Sequence, residues 1–309
     1  MVYRTDAGRT VHTETAASRN GRQNGRKDWR PPNYRRYAAR RRRGRRLRML
    51  GAAAVIALLA GAVFWLTGQK GEETLPAGPG ELQEETGFVV AVDPGHGGGD
   101  SGAVGVSFDE CEMTWRTAGY LMELLEGDER FSPFLTTDGE EYSEPSERAA
   151  NARAAGAQLL ISIHGNSGDD PSYAGFECYP VPPGRERHDE SLAFAELIAS
   201  GFGEAGASLR GQDGVRYIYY DADGQKQIAE ISDDSVHMEQ SFTLLEESGC
   251  PAVLAEQCFV TSPADVAAFG DEEGCHTAAE IYYNAICQWY EANAAGGDVD
   301  GNAGSDAPV

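Results

Sequence analysis

Residues 88–105 read FVVAVDPGHGGGDSGAVG. Phe88–Asp93 is a short, β-branched apolar run closed by Pro94-Gly95, the pattern of a buried strand. A histidine follows at once, and then the chain dissolves into glycines. A strand that stops at His96, with pliable backbone around it, presents an imidazole at a sheet edge instead of packing it. Two later stretches have the same form, QLLISIH over 158–164 and PAVLAEQCF over 251–259. AGFECYP over 174–180 reads as a further strand. The intervening segments have helical periodicity. ECEMTWRTAGYLMELLE (110–126) sets Met113, Leu121, Leu124 and Leu125 on one side, with acids in its first turn where the helix dipole favours them. SEPSERAANARAAG (143–156) has Ser143 as its expected cap, Pro145 in its first turn and Gly156 at its end. Residues 189–203 and 276–292 complete the set, the last with Ile281, Ala285 and Trp289 on one stripe. Apolar strands alternating with helices predict an α/β domain, its sheet mostly parallel or mixed, with helices on both faces.

The charge is divided sharply along the chain. Residues 1–48 carry 16 Lys and Arg against Asp6, Glu14 and Asp28, a formal +13; the whole chain is −23, so the remainder is −36. Met49–Gln69 is a run of 21 uncharged residues directly behind the arginine block RRYAARRRRGRRLR. About 20 apolar residues cross a bilayer core as a helix, and the basic flank stays cytoplasmic. The expectation is a single-pass protein of the cytoplasmic membrane, N-terminus inside and the remainder outside, with secretion after signal cleavage as the alternative. A buried core helix fits poorly behind so dense a basic flank. Orientation and attraction to anionic lipid account for the basic arm more simply than nucleic-acid binding does, so no nucleic-acid partner is expected. The division is then a basic cytoplasmic segment 1–48, a transmembrane helix 49–69, a Gly/Pro/Glu-rich linker 70–86, one folded domain 87–292 and a disordered tail 293–309.

All six cysteines, Cys111, Cys178, Cys250, Cys258, Cys275 and Cys287, fall after the apolar run, where disulfides are permitted. Six cysteines allow 15 pairings. Cys250 and Cys258 flank one strand and are too far apart to bridge each other. No pair has the CxxC spacing of a zinc knot.

In open α/β sheets functional groups gather beyond the carboxyl ends of strands. His96, His164 and Glu256 are delivered to that edge. Glu110 begins the helix after the glycine loop and points back toward it, although Glu112 competes for the role. Two imidazoles and a carboxylate with an open fourth position form a common catalytic zinc arrangement, and a further carboxylate can orient the water. Asp93 is a candidate to orient the loop or the imidazole. His188 and His237 lie outside these blocks and read as surface residues.

From about Phe88 to Glu291 the chain resembles the zinc-dependent N-acetylmuramoyl-L-alanine amidases of bacterial cell walls. DPGHGGGDSGAVG resembles the family's first metal motif, ECEMTWRTAGYLMELLE its Glu-led helix and SERAANARAAGAQLLISIHGN its second histidine block. GFECY resembles the strand that follows, and PAVLAEQCFVTSPAD the catalytic-glutamate segment. The resemblance implies that His96, Glu110 and His164 bind Zn²⁺ and that Glu256 is the general base. The implied reaction is hydrolysis of the amide between the lactyl group of N-acetylmuramic acid and L-alanine in peptidoglycan, by a zinc-activated water. Glu256 would take the proton from that water and later deliver it to the leaving amine. The pattern departs from the family in several places. Thr137 stands where an arginine is usual, Cys258 replaces a glycine and Ser262 an asparagine. Residues 210–247 match poorly and read as a lid, a regulatory helix or a substrate loop.

The strongly acidic outer part does not suit general adhesion to negatively charged wall polymers, so the anchor or a protein activator would set where the enzyme acts. Two alternatives remain. One is a catalytically weak amidase-like domain serving as a peptidoglycan-binding or regulatory module. The other is a zinc hydrolase acting on a different amide.

Overall fold

The structure, a computed structural model, describes residues 87–294. The proposed cytoplasmic segment, membrane helix and linker, and nearly all of the proposed tail, lie outside the described residues. Among the described residues no helix is long and apolar enough to cross a membrane.

Five strands form the main sheet in the order β2-β1-β3-β7-β4. They are β1 (Phe88–Pro94), β2 (Phe131–Leu135), β3 (Leu159–Asn166), β4 (Glu177–Pro180) and β7 (Ala252–Phe259). β1 pairs in parallel with β2 and β3, and β3 in parallel with β7. β4 runs antiparallel to β7, so the sheet is mixed. The run FSPFL of β2 gives no strand signal of its own because Pro133 interrupts it. Its place at the sheet's edge tolerates the missing N–H.

Helices α1 (Glu110–Glu126), α3 (His188–Glu204) and α5 (Glu272–Ala294) cover one face, where α5 packs against both of the others. Their apolar stripes are closed off from water, from Met113, Leu121 and Leu125 to Phe194, Ile198, Ala285 and Ile286. The opposite face holds a second cluster. Ala91, Leu160, Leu254 and Tyr179 from the sheet meet Ala149 and Ala152 of α2 (Pro145–Ala155) and Leu244 and Leu245 of α4 (Thr243–Glu247). α2 is poor in large apolar residues because its two buried alanines let it lie close to the strands. Glu144, not Ser143, occupies its cap position. Ser143 instead donates its hydroxyl to Glu147 at 3.1 Å. Gly156 ends the helix at φ 70°, a left-handed turn that glycine adopts without strain.

The poorly matching segment 210–247, expected as a lid, a regulatory helix or a substrate loop, has regular structure of its own. It is an antiparallel hairpin, β5 (Arg216–Tyr220) and β6 (Lys226–Glu230), followed by α4. A bridge from Cys178 to Val215 lays the hairpin beside β4. Ile218 and Tyr220 pack onto the second cluster, on the same sheet face as Leu254. Cross-strand pairing puts Arg216 opposite Glu230, Ile218 opposite Ile228 and Tyr220 opposite Lys226. All six cysteines are free thiols.

Candidate active site

The sequence pattern alone put His164 and Glu256 at strand ends, but both strands run further, and a bulge separates His164 from Asn166. The pairing still brings the two side chains together. His164 is the register partner of Glu256 across β3 and β7, and Glu256 of Glu177 across β7 and β4. Register partners point to one face, so an imidazole and two carboxylates form a row on strands about 4.8 Å apart.

His96 enters from the glycine loop. Its backbone is left-handed, φ 63°, and the following three glycines also have positive φ. Gly102 is required by close approach: a Cβ there would lie 2.6 Å from both Glu110 Oε2 and the His96 ring. Glu110 opens α1 and is 4% exposed. Its Oε1 meets His96 Nε2 at 3.0 Å and His164 Nδ1 at 3.0 Å, and it accepts the Gly165 N–H at 2.9 Å. Its Oε2 accepts the Ala103 N–H at 2.9 Å. Glu112 does not compete, because it turns back to accept the Asp109 N–H at the helix start.

The electrostatics follow from this crowding. Burial alone would raise the Glu110 carboxyl, but the two imidazoles outweigh it and hold Glu110 far below the usual carboxylate range. Burial works to lower the His96 imidazole; the hydrogen bonds it donates to Asp100 and Glu110 override it and raise it to about 10. For Glu256 the compensation is incomplete. Burial pushes it up, His164 pulls it down, and Glu110 pushes it up again, leaving it at about 7.

The ligand atoms of His96, Glu110 and His164 lie within 4.8 Å of one another. Two nitrogens and a carboxylate oxygen are the donor chemistry zinc accepts. The His side chains keep 23% and 22% of their surface exposed, so an approach from solvent stays open. The residues present fit a divalent metal.

Three supporting residues, Asp100, Arg148 and Glu177, were not singled out by the sequence pattern. Asp100 accepts from His96 Nδ1 at 2.8 Å and so turns Nε2 toward Glu110. The signal was available, a carboxylate four residues beyond His96 inside a turn. Arg148 is buried and donates to the carbonyls of Pro94 at 2.6 Å and His96 at 2.8 Å, pinning the loop's backbone. Asp93, the partner of that guanidinium at 3.1 Å, also accepts from Thr136 and from Ser162 at 2.6 Å. Asp93 therefore anchors the loop through Arg148 and does not contact an imidazole. Glu177 accepts from Asn166 at 2.5 Å and from Arg216 at 2.9 Å, with Arg210 3.3 Å away.

The departures are accommodated locally. Cys258 packs at 3.5 Å on the Met113 sulfur, and Ser262 caps a short turn by accepting the Asp265 N–H. Thr137 is buried and accepts the Gly139 N–H. His188 and His237 lie outside the cluster as half-buried residues at the surface. His188 Nδ1 lies 2.8 Å from the Val181 carbonyl, and His237 packs on Tyr219 with ring centroids 4.4 Å apart.

Residues 90–288 match the Amidase_3 family, N-acetylmuramoyl-L-alanine amidase. The uncharacterized protein YqiI of Bacillus subtilis is 29% identical over 209 residues, which cover 66% of this chain and 86% of that protein. The probable N-acetylmuramoyl-L-alanine amidase AmiB of Haemophilus influenzae is 37% identical over 105 residues, which cover 33% of this chain and 24% of that protein. The catalytic domain of CwlV, an N-acetylmuramoyl-L-alanine amidase from Bacillus (Paenibacillus) polymyxa, is a solved structure with the same fold. It is 26% identical with a TM-score of 0.52, over 66% of this chain and 98% of that one. The family match runs from the first strand of the sheet into the last helix and takes in every residue of the row and the cluster; the chain belongs to the N-acetylmuramoyl-L-alanine amidase family.

Proposed function

We propose that this chain is a zinc-dependent amidase that hydrolyses the bond between the lactyl group of N-acetylmuramic acid and L-alanine in peptidoglycan. The observation that carries the reading is the row His164–Glu256 lying beside the compact His96–Glu110–His164 donor set. His96, Glu110 and His164 would hold the metal. Bound there, zinc would polarise the amide carbonyl and lower the pKa of water. Glu256 supplies the proton transfers. A carboxyl raised to about 7 matches an operating pH near neutrality, so it takes a proton from water and returns it to the departing amine. Asp100 fixes the His96 ring, and Arg148 fixes the backbone beneath it. The family membership supports the substrate class.

The apolar run 49–69 behind its basic flank supports anchorage on the outer face of the cytoplasmic membrane. Sedimentation of the full chain with membranes checks that part.

The purified full chain is expected to hold about one zinc and to release peptides from muropeptides, leaving a lactyl carboxylate and an L-alanine amine by mass. Glu256→Gln is expected to keep the metal and to lose roughly 10²–10⁴-fold in kcat. A metal-loaded chain that cuts no muropeptide would defeat the reading.

A further inference from the structure

Residues 87–294 contain one lysine, Lys226. The eight arginines of the same span each engage a carboxylate, a backbone carbonyl or both. Lys226 is exposed and forms no ion pair among the described residues. The acids of its own hairpin are turned elsewhere. Glu230 is held by Arg216 at 2.7 Å. Asp221 accepts the N–H groups of Asp223 and Gln225 and the amide of Gln227. In a region so rich in acids, a cation left unpaired at this position stands out from its surroundings.

Its position follows from the hairpin's geometry. Ile218 and Tyr220 point from β5 onto the sheet face that also carries Glu256. Lys226 is directly opposite Tyr220 and so lies on that same side of the hairpin. At the hairpin's other end Arg216 reaches Glu177, the register partner of Glu256. The electrostatic influence of Lys226 extends to Glu256 itself. Across the sheet the order is the His96–Glu110–His164 cluster, then Glu256, then the hairpin with Lys226.

Resting on the amidase reading above, this order also orients the substrate. Glu256 hands its proton to the departing amine, so the amine side of the scissile bond faces Glu256. The chain beyond that amine then runs toward the hairpin. The acyl side has no free carboxylate while its lactyl group is held in the amide. The carboxylates of this substrate class are on the peptide. We propose that Lys226 is a specificity-determining residue that binds a carboxylate of the stem peptide, just beyond the residue that supplies the scissile nitrogen. The remaining field around the site is acidic and disfavours anions in general, so the recognition has to come from this local positive point.

The test is binding, which needs no turnover. The probes are L-alanyl-D-glutamate with its γ-carboxyl blocked as the methylamide, and the same compound with its α-carboxylate converted to the carboxamide. Both are titrated into the zinc-loaded full chain by calorimetry. The full chain is expected to bind the free acid roughly tenfold more tightly than the carboxamide. Lys226→Gln should bind the two alike, and Lys226→Arg should recover the preference. Because Lys226 is exposed, neither change threatens the fold. On muropeptides, Lys226→Gln should raise KM for the free-acid substrate by a similar factor, with kcat little moved. Equal binding of both dipeptides by the unmodified chain, or a preference that survives Lys226→Gln, overturns the proposal. A chain that shows the preference but cleaves nothing leaves the subsite standing and removes the amidase reading. A chain that cleaves both muropeptides with equal KM does the reverse.

Discussion

Arg148 shows how a single side chain sets the accuracy of the site. It reaches from α2 under the glycine loop and holds two of the loop's carbonyls while pairing with Asp93. Both partners are buried, so removing one leaves an uncompensated charge, a cost of about 3–5 kcal/mol. Asp93→Asn keeps the hydroxyl partners and is expected to fall near the lower end, about 3 kcal/mol by thermal or denaturant unfolding. The pH dependence has a definite sign. Burial alone would raise the Asp93 carboxyl, but Arg148 and two hydroxyl groups bring it below its ordinary value. A depressed folded value stabilises above the unfolded value of about 3.9 and loses that stabilisation as pH falls through the folded one. The gap between wild type and Asp93→Asn should therefore be constant between about pH 5 and pH 8 and shrink at lower pH. A gap that widens on acidification would contradict the pairing.

The next scale is the loop and the strands that carry these residues. At Gly98, φ is 68° and an added Cβ would fall 2.1 Å from the Glu141 carbonyl carbon. That obstacle is backbone, so Gly98→Ala must displace the loop and His96 with it. Metal retention against a chelator is expected to fall roughly 10–100-fold, the usual cost of disturbing the groups that orient a ligand. The main strands and helices were legible because each carries its own period. Glu110–Glu126 reads from the sequence with the bounds it has in the fold. His96, Glu110 and His164 were legible as a group because strand and helix-start signals direct them to one side of the sheet, and their ligand atoms do meet. β2 was not legible, since Pro133 breaks the pattern and only its pairing with β1 makes it a strand. Glu177 was hidden for a related reason. Nothing local in GFECY marks its glutamate as the neighbour of Glu256, which depends on the antiparallel docking of β4. The hairpin 216–230 hides its role in the same way, because its inner face is defined by the sheet it packs on.

Over the whole molecule, the formal charge of −36 beyond residue 48 opposes the approach of a negatively charged wall polymer. Salt screens such a field, with a Debye length of about 10 Å at 0.1 M. Turnover of intact wall fragments is therefore expected to rise as ionic strength increases from a few millimolar, whereas turnover of an uncharged model amide should not. The preference assigned to Lys226 should weaken over the same range. A metal held by His96, Glu110 and His164 would contribute at this scale too. A ligand that binds the native state alone stabilises it by an amount set by its concentration relative to Kd. If the proposed zinc binds, removing it should lower the unfolding temperature while leaving a cooperative transition, because two apolar clusters and the full sheet remain.

β7 is the last strand in the chain yet lies between β3 and β4 in the sheet. During synthesis the earlier strands must wait with the β3 edge bare until residue 259 has been made. Glu256 arrives only with that final insertion, so a nascent or prematurely arrested polypeptide carries His96, Glu110 and His164 without the carboxylate that lies beside them. The side-chain row across β3, β7 and β4 therefore forms only when the chain is nearly complete.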